Sequence, residues 1–79
     1  MNTQVIKGTI SNIKRTNNSY NGNPNYKFEV ITDNGHSIPV STMNDYMVNY
    51  EFGSHLEGKP MALTVKVNRK SNKLLSLED

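Results

Sequence analysis

In Met43-Asn44-Asp45-Tyr46-Met47-Val48-Asn49-Tyr50 apolar residues recur with a helical period. Met43, Tyr46, Met47 and Tyr50 stand at i, i+3, i+4 and i+7, the spacing of a single helix face. On both sides of the segment between Gly35 and Lys59 the apolar residues alternate with polar ones, as they do in half-buried strands. The spacing therefore predicts three strands, one short helix and two strands. Thr42 followed by Asp45 reads as a capping box with the shorter acid, and Gly53 stands where a left-handed residue would end the helix. On this reading Tyr46, Met47 and Tyr50 point inward and plug the end of a barrel. Ser54-His55-Leu56-Glu57, ahead of Gly58, can form one further turn.

Working outward, the first strand runs from Gln4 to Lys14. It carries Ile6, Gly8 and Ile10 on one face and then slips phase so that Ile13 is apolar. A bulge near Ser11 and Asn12 absorbs such a slip and bends the strand, while Gly8 permits close backbone approach where the strand curls. Thr16 to Asn25 is a polar hairpin tip, with Asn21-Gly22 favouring positive φ and Pro24 holding Asn23 extended. Tyr26, Phe28 and Val30 share one face of the second strand, and Lys27, Glu29 and Ile31 the other; Tyr26 reads as core lining. Asp33-Asn34-Gly35 is a tight turn. Ile38 and Val40 form a third strand in which Pro39 favours an edge, because it cannot donate to a ladder. Met61, Leu63, Val65 and Val67 alternate through a fourth strand, and Leu74, Leu75 and Leu77 make a fifth.

Five strands with a helix between the third and fourth, in 79 residues, predict a single all-β domain, residues 1–79: a five-stranded Greek-key barrel of the OB type. An SH3-like small barrel is the structural alternative, and the position of the helix favours the OB order.

Composition narrows the function classes. A domain of this size has little apolar surface to give to a deep pocket, which argues against a self-contained enzyme. The chain has no cysteine, hence neither a disulfide nor a thiolate metal site. Its two histidines, His36 and His55, have no partner at a zinc-site spacing. No Gly-x-Ser-x-Gly elbow, paired carboxylate or phosphate-cradling glycine loop occurs. No metal or cofactor is expected. The N-terminus lacks a basic then apolar leader, and no run approaches the roughly 20 apolar residues of a membrane span, so a cytoplasmic protein is expected. In that compartment the Asn17-Asn18-Ser19 sequon has no consequence.

Net charge is only +2, but its distribution is uneven: Lys66, Arg69, Lys70 and Lys73 place four cations in eight residues. Read as ordinary surface, they are a solvated turn that discourages edge pairing. In an OB-type barrel the loop between strands 1 and 2 and the loop between strands 4 and 5 flank the ligand face. Here those loops are Thr16 to Asn25, bordered by Lys14 and Arg15 and holding Tyr20, and the basic turn Arg69 to Lys73. Cations for phosphates and aromatic faces for unstacked bases are what single-stranded nucleic acid requires. The candidate binding residues are Lys14, Arg15, Tyr20, Lys27, Lys66, Arg69, Lys70 and Lys73. The outer face of strand 2 lacks the paired aromatics of a dedicated single-strand binder.

Gly8-Thr9-Ile10, followed by Ser19-Tyr20-Asn21-Gly22-Asn23-Pro24 and an aromatic strand, resembles small OB-fold-like accessory proteins of phages and plasmids, in which a Ser-x-x-Gly-x-Pro loop follows the first strand. The resemblance covers roughly the first half of the chain. It implies a mobile-element accessory protein that acts by binding DNA or by docking onto a host protein as an interaction module or inhibitor. No site residue is carried over from it.

Overall fold

A computed structural model describes residues 2–69 and 71–78. Five strands form in chain order: β1 (Asn2–Arg15), β2 (Tyr26–Ile31), β3 (Ser37–Thr42), β4 (Pro60–Val67) and β5 (Asn72–Glu78). A short helix α1 (Val48–Glu51) and a 3₁₀ turn (Ser54–Leu56) lie between β3 and β4. The sheet closes in the order β1-β2-β3-β5-β4. All neighbours are antiparallel except β3 and β5, which run parallel. That closure, with the helix after β3, is the OB arrangement expected from the element order, and it sets aside the SH3-like alternative.

β1 is long because it serves two partners. Its N-terminal half pairs with β4 from Asn2↔Val67 to Thr9↔Pro60, and its C-terminal half with β2 from Thr9↔Ile31 to Arg15↔Tyr26. The hand-over falls at Gly8 and Thr9. A Cβ on Gly8 would lie 2.5 Å from the Ile31 carbonyl oxygen and 2.7 Å from Val30 Cγ1, so only glycine lets the strands approach there. The expected bulge is present: register shifts between Ser11 and Lys14, and Asn12 takes a φ of 55°. Bulging removes backbone donors from the ladder, and Glu57 replaces their partners. Its two carboxylate oxygens accept from the Asn12 and Ile13 N–H groups, each at 3.1 Å.

The core is built from the inward alternation of every strand: Ile6 and Ile10, Phe28 and Val30, Val40, Met61, Leu63 and Val65, and Leu74. Ile13, Tyr26, Ile38, Val67 and Leu77 pack around it. Pro39 is exposed on β3, which pairs with β2 over five residues but with β5 only at Ser41 and Thr42. Proline thus sits where its missing N–H leaves no gap in a ladder.

The segment after β3 departs from expectation. Helix forms only from Val48 to Glu51, and Asp45 adopts a φ of 65°, which interrupts any continuous helix through 43–50. Met47 is 82% exposed, Tyr50 61% and Tyr46 42%, so the Met and Tyr stripe does not plug the barrel. Val48, Phe52 and Leu56 do so instead. The Phe52 ring centroid lies 4.4 Å from that of Phe28 and 5.2 Å from that of Tyr26, which agrees with Tyr26 as core lining. Thr42 belongs to β3; its hydroxyl accepts from the Tyr26 N–H and donates to Asn25 Oδ1, each at 2.9 Å. Gly53 is extended, at φ 172°, and it is Gly58, at φ 81°, that is left-handed in this segment.

Candidate functional site

The β1–β2 loop and the segment following β3 leave the barrel at one end, beyond Arg15↔Tyr26 and Thr42, whereas the β4–β5 turn, at the start of a β5 that runs parallel to β3, leaves towards Pro39 on the other side, so the two hairpin tips do not share one rim. Between these two connections the registers align one residue from each strand into a transverse row. Lys14 on β1 pairs with Lys27 on β2, Lys27 with Ser41 on β3, Ser41 with Lys73 on β5, and Lys73 with Lys66 on β4. Phe28, Val40, Leu74 and Val65 beside them are buried. Alternation therefore turns Lys27, Ser41, Lys73 and Lys66 outward. Neighbouring strands are about 4.8 Å apart, so Lys27 and Lys73 stand roughly 10 Å apart across Ser41.

A groove of about 450 Å³ follows this row, lined by Lys14, Lys27, Ser41 and Lys73 with Asn12, Glu29 and Asn72. Pro39 and parts of Phe28 and Val40 complete its floor. Lys73 Nζ donates to Ser41 Oγ at 2.9 Å, which leaves its charge without a counter-charge in that contact. Twice, at Lys14↔Lys27 and Lys66↔Lys73, lysine stands directly opposite lysine, an arrangement that destabilises a sheet by tenths of a kcal/mol per pair. An anion lying along the row removes that cost.

Of the residues expected from sequence, Lys14, Lys27 and Lys73 come together in the groove, and Lys66 continues the row around the curve of the barrel. Arg15 is engaged locally: its guanidinium carbon lies 5.5 Å from the Tyr26 ring centroid, within cation–π range, and it donates to Asn18 Oδ1 at 2.6 Å. Tyr20 is fully exposed at the tip of the β1–β2 loop, and Arg69 is exposed in the β4–β5 turn. Neither lines the groove. Lys70 falls outside the described residues. Asn12, Glu29, Ser41 and Asn72 are additions that the sequence reading missed. Outward phase could have flagged Glu29 and Ser41, but their neighbourhood depends on register between strands.

The β1–β2 loop is held rigidly against the segment after β3. Asp45 accepts from Ser19 Oγ at 2.7 Å, Asn23 Nδ2 at 2.5 Å and Asn21 Nδ2 at 3.1 Å. The Tyr50 hydroxyl donates to Asn23 Oδ1. Fully buried Asn49 donates through Nδ2 to the Met43 carbonyl at 2.6 Å and the Pro24 carbonyl at 2.9 Å, and its Oδ1 finds no partner. The acid expected to cap a helix is thus a loop anchor.

Hydrogen bonds from Ser19 and then Asn23 hold the Asp45 carboxyl below its ordinary value, against a smaller opposing effect of desolvation. A carboxylate with a lowered folded-state pKa contributes stability that is complete above its unfolded value, about 3.9, and disappears as pH falls through the folded value. Wild-type protein is therefore expected to lose loop anchoring below about pH 4, seen as faster amide exchange at Asn23 and a falling melting temperature. Asp45→Asn, which tolerates the same positive φ, should flatten that part of the pH profile; an unchanged profile would contradict the anchor.

Among the described residues no three His, Cys, Asp or Glu side chains gather as a metal site, and no helix is long and apolar enough to cross a membrane. No family model, curated protein or solved structure matches the chain.

Proposed function

We propose that this protein is a non-enzymatic binding module for single-stranded nucleic acid, gripping phosphates along Lys14, Lys27, Lys73 and Lys66. The observation that supports this reading is the alignment of four lysines, from four strands, into one transverse row along a groove. Like charges set opposite one another cost stability and serve no packing purpose. A polyanion crossing the strands turns that cost into affinity. Single strands suit the site because unstacked bases can lie on the groove floor and reach Tyr20 at the loop tip, where stacking is worth about 1–3 kcal/mol per base. Arg69, in the β4–β5 turn, adds charge on the side of the row opposite the β1–β2 loop, and Arg15 is a secondary contact because Tyr26 and Asn18 already hold it.

Fluorescence anisotropy with labelled single- and double-stranded oligonucleotides at several salt concentrations tests the proposal. Single strands should bind more tightly than duplexes of the same length. The logarithm of affinity should fall against the logarithm of salt with a slope of about −2 to −3, as expected for three or four neutralised phosphates. No measurable binding at low salt would overturn it.

A second reading is a module that docks onto a host protein, as the phage and plasmid resemblance implies. It is favoured by the exposure of Tyr20, Tyr46, Met47 and Tyr50 at the rim, residue types enriched at protein interfaces. It predicts affinity for one protein with little salt dependence. On either reading the working compartment is the cytoplasm.

A further inference from the structure

Resting on the nucleic-acid reading of the groove, we propose that Glu29 reads the base. Its carboxylate accepts a hydrogen bond from an exocyclic amine, so the site selects cytosine over thymine or uracil, and purine amines over the same two bases.

Glu29 lies on the outward face of β2 two residues beyond Lys27, hence about 6.7 Å from the lysine row along the strand, and it lines the same groove. Its lateral neighbours are Ser11 on β1 and Pro39 on β3. A phosphate drawn to the row is repelled from this position, which leaves it to the base of the same nucleotide. Exposed Pro39 offers an apolar ring face beside it.

Glu29 is also fixed. Asn12 Nδ2 donates to Oε1 at 2.5 Å, and the Ser37 hydroxyl donates to Oε2. Asn12 reaches it from the bulge, in a left-handed conformation held by the paired N–H contacts to Glu57. Two strands, β1 and β3, thus converge on one surface carboxylate of β2. Hydrogen bonds from Ser37 and then Asn12 keep it ionised, with a smaller contribution from Lys14. A carboxylate offers about four acceptor positions, and these contacts use two. Cytosine presents its N4 amine to such an acceptor, whereas thymine and uracil present O4, acceptor against acceptor. The preference comes from that opposition as much as from the bond formed.

Anisotropy titrations with labelled oligo-dC and oligo-dT of equal length, at one salt concentration and pH 8, test this. Oligo-dC is expected to bind about fivefold to a hundredfold more tightly. Glu29→Gln removes a negative charge from a basic groove and should strengthen both interactions, while its dC:dT ratio falls towards one. Ser37→Ala, which loosens the carboxylate without altering charge, should lower the ratio at an unchanged salt slope. Equal affinities, a preference for oligo-dT, or a Glu29→Gln variant that strengthens both ligands alike would overturn base reading and leave the groove proposal standing. Absence of binding to either oligonucleotide at low salt would overturn both.

Discussion

Lys27→Glu combined with Lys73→Glu is expected to weaken single-strand binding by a hundredfold or more while leaving the melting temperature unchanged or slightly raised. The opposite signs come from one geometry. Each lysine contributes a charge-assisted phosphate contact of about 1.5–3 kcal/mol, and reversal adds repulsion, so two reversals exceed the roughly 2.8 kcal/mol that a hundredfold represents. In the unbound sheet, however, reversal converts Lys14↔Lys27 and Lys66↔Lys73 from like-charge into opposite-charge neighbours. Such pairs stabilise by tenths of a kcal/mol, offset in part by the lost Lys73–Ser41 hydrogen bond. Anisotropy and thermal unfolding of the same samples separate the two effects. Equal affinity in wild type and variant would remove the row from the binding face, and a large drop in melting temperature would mean the lysines are there for the fold.

Gly8→Ala is expected to be the most damaging single methyl in the chain, lowering the melting temperature by about 10–20 °C. The added carbon meets backbone, 2.5 Å from the Ile31 oxygen and 2.9 Å from the Ile31 carbonyl carbon, where rotamer changes give no relief. β1 is pinned to β4 through Met61 on the same residue, so it cannot retreat without breaking a second ladder. Overpacking of this kind costs about 2–3 kcal/mol, and a domain of this size moves about 4–8 °C per kcal/mol. That is a large share of the 3–5 kcal/mol that a small core supplies. Gly22→Ala is the control: it meets no atom within 4 Å, and only its φ of +84° is unfavourable, so it should cost about 1 kcal/mol. If the two variants melt together, close approach at Gly8 is not what joins the two halves of the barrel.

Local chemistry accounts for how much of this was legible in the sequence. Inward alternation in β2 and β4, the left-handed glycines of the Asn21-Gly22 and Asn34-Gly35 turns, and the slip at Ser11 and Asn12 each depend on residues within a few positions of one another, whereas the clash that demands glycine at position 8 is with Val30 and Ile31 across the sheet. The helix face was misread for a physical reason. Val48, Phe52 and Leu56 recur at i, i+4 and i+8 as regularly as Met43, Tyr46, Met47 and Tyr50 recur at theirs. Periodicity names two faces and cannot say which one meets Phe28. Asp45 settled it by leaving the helix to hold Ser19, Asn21 and Asn23, partners more than twenty residues away.

The candidate site divides along the same line. Its cations were visible as the cluster from Lys66 to Lys73 and as isolated lysines at 14 and 27. Their alignment was not, since it is the product of four separate strand registers, each set by long-range pairing. The same holds for Glu29, an ordinary outward residue of β2 until Asn12 and Ser37 are brought to its two oxygens. What the sequence determined alone was the order of elements and the inward face of each strand, because backbone sterics and hydrophobic period act locally. What the tertiary structure decided was which outward residues become neighbours and which face of the connecting segment is buried, because both follow from the register and closure of the whole barrel.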